Sequence, residues 1–327
     1  MMANFLGRFN MAEQRTLVCV FAQTREHELV WKNFKKNVLD ALNADLALCI
    51  AVPDDYAYAN PYWQHAKYKW TCPEYENWMD AFEYAKKISF PQVGDDWKTA
   101  LTVPGNWISP LNGNPAGGAL QIFFRWLLWQ HLQKDDIFAQ YDRVVFTRSD
   151  FMFLSPHPPM DLLSQEHIWL PNGEYYGGVT DRHAVLSRKN AEGYLMGIMK
   201  NIMTNTSQFC ACLREAGKNY DRHYATDTDD PNKVIPVGLE MSIKVNLDFE
   251  FPVDTCRFFP YIMYTVRSAD GKSRHNYGTW YEELGYFIKS PEELFSAKTY
   301  QAIYVKPQDW YTVPRVEAPP YWNSTWP

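Results

Sequence analysis

The 327-residue chain has no apolar run approaching the roughly 20 residues that span a bilayer, so no transmembrane segment is expected. It has no excess of positive charge. With 32 Lys and Arg against 38 Asp and Glu, the net charge is −6, which argues against a protein that wraps nucleic acid. It has no Gly-x-x-x-x-Gly-Lys-Ser/Thr loop and no Gly-x-Ser-x-Gly elbow, which excludes P-loop and α/β-hydrolase chemistry. Internal repeats are missing too. Cysteine is sparse: the six thiols include no Cys-x-x-Cys pair, and Cys210-x-Cys212 is too tight for a zinc pair. Cys19 and Cys49 fall in apolar runs and read as small core residues. Residues 1–14 hold Arg8 but no apolar core of a signal peptide, so the expected setting is cytoplasmic, with reduced thiols.

What the chain does have is apolar and aromatic mass. Hydrophobic residues make up 46%, enough for a sizeable core. Aromatics reach 16%, with 13 Trp and 21 Tyr, a composition suited either to a bulky core or to stacking on bases and sugar rings.

The run Thr16 to Gln23 is continuously apolar and β-branched, the pattern of a strand covered on both faces. Thr24 offers an N-cap, and Val30, Trp31, Phe34, Val38, Ala41 and Leu42 then recur at helical spacing. Leu46 to Val52 is a second buried strand, closed by Pro53-Asp54-Asp55. Strand, helix and strand within about forty residues make a βαβ unit and a parallel sheet. Further on, Glu76 to Ile88 is read as helix. Residues 104–118, with three Pro and four Gly, are read as an ordered loop over the site. Ala119 to Gln133 is apolar nearly all round, hence a buried helix, with Gln121 and Arg125 one turn apart on one face. Val144 to Thr147 and Ile168 to Leu170 are short strands, and a helix is expected near residues 190–205. Tyr220 to Lys233 reads as a surface loop, residues 239–247 as either helix or strand, and the tail from Pro307 as irregular coil.

Ligands of open α/β sheets bind outside the carboxyl ends of strands. Three polar sets fall there: Gln23-Thr24-Arg25 at the expected helix N-terminus, Asp54-Asp55, and Arg148-Ser149-Asp150. The first suits a diphosphate, and Asp54 a ribose or base. The third is the most informative, because ionised groups beside an apolar strand are paired or functional. Its alternatives are a cation-holding carboxylate and a buried structural Arg–Asp pair.

The stretch Gln121…Tyr141-Asp142-Arg143-Val144-Val145-Phe146-Thr147-Arg148-Ser149-Asp150-Phe151 resembles the signature of WavE-like and related polysaccharide glycosyltransferases with GT-A folds. Thr180-Asp181-Arg182 is similar to a later element of these families, and Pro236-Val237-Gly238-Leu239-Glu240 to their Pro-x-x-x-Glu context. The resemblance spans roughly residues 16–250. It implies a GT-A-like, Rossmann-like mixed and mostly parallel sheet flanked by helices, over residues 14–265, with an aromatic C-terminal extension over 266–327. It implies sugar transfer from a UDP- or GDP-linked donor to a saccharide or glycan acceptor. Asp150 then stands at the last acid of a metal-binding Asp-x-Asp motif whose first acid is replaced by Arg148, which puts an obligatory Mn²⁺ or Mg²⁺ in doubt. Gln121, Arg125, Arg148 and Arg182 are grouped with the donor site, and Asp181 with the catalytic acids. Glu240 would be the general base of an inverting reaction. His275 is similar to a late histidine that serves as an extra metal ligand in some of these enzymes. Two rivals remain: a non-catalytic carbohydrate-binding protein, and a sugar nucleotidyltransferase, although Phe21 to Arg25 lacks the glycine loop of that class.

Overall fold

The computed structural model describes residues 14–51, 60–72, 74–114, 116–224, 236–252, 254–268 and 278–303. Its centre is a seven-stranded sheet built from β1 (Thr16–Ala22), β2 (Asp45–Ala51), β3 (Tyr68–Cys72), β4 (Arg143–Thr147), β6 (Ile168–Pro171), β7 (His183–Ser187) and β8 (Cys256–Phe259). The order is β3-β2-β1-β4-β7-β6-β8. β3, β2, β1 and β4 run parallel, β7 is antiparallel to both its neighbours, and β6 and β8 are parallel. The chain is therefore an α/β protein with a mixed, mostly parallel, Rossmann-like sheet.

The continuous apolar runs explain why these strands lie inside. In β1, Leu17, Cys19 and Phe21 enter one core cluster, and Val18 and Val20 enter the other. The period-two alternation thus feeds both faces, and each fully buried aliphatic side chain contributes about 1.5–3 kcal/mol. The helices α1 (His27–Phe34) and α2 (Pro61–His65) pack on the second face through Val30, Phe34 and Tyr62. The helices α3 (Trp78–Ser89), α4 (Gly118–Gln133), α5 (Ala191–Leu195), α6 (Gly197–Thr204), α7 (Thr206–Tyr224) and α8 (Leu239–Glu250) cover the first. α4 is buried almost throughout, as its all-round apolar sequence requires, and beneath it Phe21 of β1 stacks on Phe146 of β4 at 3.9 Å.

A second, four-stranded sheet has the order β10-β11-β9-β5. It comprises β5 (Phe151–Phe153), β9 (Met263–Arg267), β10 (Thr279–Tyr281) and β11 (Tyr286–Ile288), with α9 (Pro291–Ile303) packed on β9. β5 begins one residue after Asp150, and the Val266 amide donates to the Asp150 carbonyl at 3.0 Å. Asp150 is thus the hinge between the two sheets. The division expected between residues 265 and 266 falls inside β9, which pairs with β5 of the earlier segment on one side and with β11 of the later segment on the other, and carries α9.

Two local expectations are corrected. α1 does not start after Thr24: its N-cap is Glu26, in a left-handed conformation, and Thr24 instead accepts from Asn60 Nδ2 at 2.7 Å. The helix begins two residues later than expected, at His27, and the Thr24 hydroxyl serves instead in a buried bond to a residue 36 positions away. The polar stretch from Tyr220 begins as helix, because α7 continues to Tyr224. Residues 239–250, open to either reading, are helical. Asp54, Asp55, His275 and the tail from Pro307 lie outside the described residues.

Candidate functional site

β1 and β4 are neighbours, yet their chains depart in opposite directions. β1 leads through α1 to β2 on one side, whereas β4 leads on through β5 to β6 and β7 on the other. The crevice at their carboxyl ends is a topological switch point, the place where open α/β sheets bind ligands. Residues 23–25 and 148–150 meet there. Ser149 Oγ donates to the Arg25 carbonyl at 2.9 Å, and Tyr62 donates through its hydroxyl to the Ser149 carbonyl at 3.2 Å. Arg25 Nε donates to Gln23 Oε1 at 2.6 Å on the exposed rim.

Asp150 is 1% exposed and both its oxygens are engaged. Arg148 donates from Nε to Oδ1 at 3.0 Å and from Nη2 to Oδ2 at 2.7 Å, and Arg267 Nη1 donates to Oδ2 at 2.6 Å. Burial pushes this carboxyl up, but the charges of Arg148 and Arg267 outweigh it and hold Asp150 well below the usual carboxylate range. Of the two readings open from the sequence, the structure therefore shows the buried pair, enlarged by a second arginine. Among the described residues no group of three or more His, Cys, Asp or Glu stands together to hold a metal. The donor set does not fit a divalent ion, since the one carboxylate at the expected place already accepts from two guanidinium groups.

A second charged group lies beside the first. Arg182 is buried between Glu174, at 3.1 Å, and Glu293, and its Nε is 3.6 Å from Asp181. Glu293, from the first turn of α9, also accepts from the Thr265 amide at 2.5 Å. Gln121 Nε2 donates to Asp181 Oδ2 at 2.7 Å, and Arg125 Nη2 to the Asp181 carbonyl at 2.8 Å. The helical spacing of Gln121 and Arg125 does bring both to one partner. Arg125, however, is 1% exposed and sandwiched against Phe146 and Tyr194, with its guanidinium 4.4 and 4.8 Å from their ring centres. It supports Asp181 rather than facing the crevice.

Lys289, just past β11, completes this region. Burial first, and then the charges of Arg182, Arg148 and Arg267, lower its ammonium to about 8. Three arginine charges thus reach Lys289, although each of these arginines is itself paired with Asp150, Glu174, Asp181 or Glu293. Arg267, Glu293, Lys289 and Glu174 were missed from the sequence. Arg267 closes the apolar run Met263 to Val266 just as Arg148 follows Val144 to Thr147, so the same signal was available for it. Glu293, in Ser-Pro-Glu-Glu, reads as an ordinary helix-start acid, and nothing local marks it as buried.

Glu240 stands in the first turn of α8, beside Gly238. The loop carrying Tyr176 to Asp181 is joined to this turn: the Val179 amide donates to the Glu240 carbonyl at 3.1 Å. A Cβ on Gly178 would stand 2.0 Å from that same oxygen, so only glycine permits the approach. Burial, then the Asp181 carboxylate, push the Glu240 carboxyl up to about 8, against its own backbone amide and Arg182. An adjoining pocket of about 490 Å³ is lined by Gly105, Asn106, Asn114, Tyr176, Gly238 and Met241, among others. The loop over 104–118 thus forms one wall of it, tied down by the Trp107 amide donating to the Val237 carbonyl at 3.2 Å. Residues 23–25 and 148–150 do not line this pocket.

Against known proteins, the chain matches no family model and no curated protein sequence.

The network makes one structural prediction. Glu293 is 1% exposed and joins α9 to both Arg182 and β9. Glu293→Ala should cost about 2–4 kcal/mol, since it leaves a buried guanidinium under-compensated, with Glu174 and the more distant Asp181 as its remaining acids. A urea melt with an unchanged slope and a lower midpoint is the expected reading. A midpoint matching the parent would mean that Glu174 and Asp181 balance Arg182 without Glu293.

Proposed function

We propose that this protein is a glycosyltransferase of the GT-A type that takes a UDP- or GDP-linked sugar donor and a saccharide or glycan acceptor. The observation that carries the reading is the arginine cluster at the switch point: Arg148, Arg182 and Arg267 gather beside the carboxyl ends of β1 and β4, held there by Asp150, Glu174 and Glu293. A diphosphate is the anion that suits such a crevice, and fixed guanidinium charge can stabilise it as it leaves. In this proposal the arginines do the work given elsewhere to Mn²⁺ or Mg²⁺, and Asp150 holds them in place. The pocket beside Glu240 takes the acceptor, and Glu240, with a pKa near the working range of a general base, accepts the proton of the attacking hydroxyl.

The test is a thermal-shift screen of nucleotide diphosphate sugars followed by a turnover assay. At a hundredfold excess over Kd a true donor adds about 2.7 kcal/mol, a rise of about 4 °C or more. EDTA should leave transfer largely intact. Complete loss on chelation, restored by Mn²⁺, would defeat the metal-free mechanism, and binding of a free saccharide without any nucleotide-sugar turnover would favour a carbohydrate-binding protein.

A further inference from the structure

At the other end of β1 and β4, away from the crevice, three polar side chains stand in a row. Thr16 pairs with Arg143, and Arg143 with Ser187 on β7. Residues paired across neighbouring strands project to one face, here the face of Val18, Val145 and Val185. All three are buried, Arg143 with 0% exposure.

Among the described residues none of the three guanidinium nitrogens of Arg143 has a hydrogen-bond partner, and neither has Thr16 Oγ1 nor Ser187 Oγ. Asn190 adjoins them: its Oδ1 accepts from the Ser187 amide at 2.8 Å, and its Nδ2 has no partner among the described residues. Each of these groups can donate, and none carries negative charge. The neighbouring Asp142 is used elsewhere, accepting from the Arg15 amide at 3.0 Å and standing 3.7 Å from Arg188. The nearby His157 ring is neutral. Burial lowers it to about 4, a bond to the Pro158 carbonyl opposes this, and the charge of Arg143 lowers it further.

A guanidinium stays charged in proteins, and leaving one buried without an opposite charge is strongly unfavourable. Arg125 of α4, packed on the other face of the same sheet, has at least a carbonyl acceptor and two aromatic faces, although its Nε and Nη1 also lack hydrogen-bond partners among the described residues. We propose that Arg143, flanked by the hydroxyls of Thr16 and Ser187, holds a small monovalent anion of chloride size inside the fold. The strand spacing of about 4.8 Å on either side of Arg143 suits a single-atom anion better than a phosphate. The site is independent of the glycosyltransferase reading, and it makes the fold's stability chloride-dependent.

The experiment is thermal melting of the full chain at constant ionic strength, exchanging potassium gluconate for potassium chloride. The melting temperature should rise by about 2 °C for each tenfold increase in chloride above its Kd. Bromide should act as chloride does. Thr16→Val should weaken the response, and Arg143→Met should abolish it while melting in gluconate no lower than the parent. Equal melting of the parent chain in chloride and gluconate overturns the proposal, as does a chloride response that persists in Arg143→Met. Should that variant fail to fold, the parent's chloride–gluconate comparison decides alone.

Discussion

Asp150→Asn is expected to lose about 3–5 kcal/mol of stability, seen as a fall in melting temperature of about 5–15 °C. The substitution is nearly isosteric, so packing is kept. What goes is the charge that balances Arg267, itself 1% exposed, and Arg148. The pH dependence has a definite sign. Asp150 is held below its unfolded value, so its contribution is present above about pH 4 and is lost as pH falls toward the lowered native value. The parent should therefore lose stability more steeply than the Asn variant as pH falls below about 4. On the proposed mechanism, transfer falls further than the folded fraction does, because the arginines that face the diphosphate lose their anchor. Melting within about 2 °C of the parent would show that the two arginines are balanced without Asp150.

The second large effect belongs to Glu240→Gln. As the proposed base, its loss should lower kcat about a hundredfold or more with donor affinity kept. The parent's rate should climb with pH toward about 8 and the variant's should not. Stability supplies a readout that needs no substrate. A carboxyl raised in the fold binds its proton more tightly there than in the unfolded chain. Its favourable contribution is complete below about pH 4 and is lost as pH rises through about 8. Gln keeps the neutral form, so the variant should be the more stable protein at pH 9, by about 1–3 kcal/mol. A mechanism in which the leaving diphosphate takes the acceptor proton makes a different forecast. The variant would then show mainly a raised acceptor KM, and the product would keep the donor's anomeric configuration. That result removes the base role and leaves the titration standing.

Much of the framework was legible because burial is written locally. The run over Thr16 to Ala22 has no polar face to leave in water, so it is a strand covered on both sides. The same logic sets β2, β4 and α4, and places charged residues 148–150 at the end of a buried strand. Helical period alone put Gln121 and Arg125 on one face, where Asp181 meets them. Tertiary structure decided what depends on partners far along the chain. Glu26 rather than Thr24 came to cap α1, with Thr24 in a buried bond to Asn60, and Asp150 acquired Arg267 from 117 residues away. Arg182 acquired Glu293 from 111 residues away, from a segment expected to be an appendage. Periodicity tells a side chain to be inside, but the charge it finds there is set by which strands pair. Loop closure over such distances costs little more than over short ones, so the local pattern carries no trace of which distant residue will arrive.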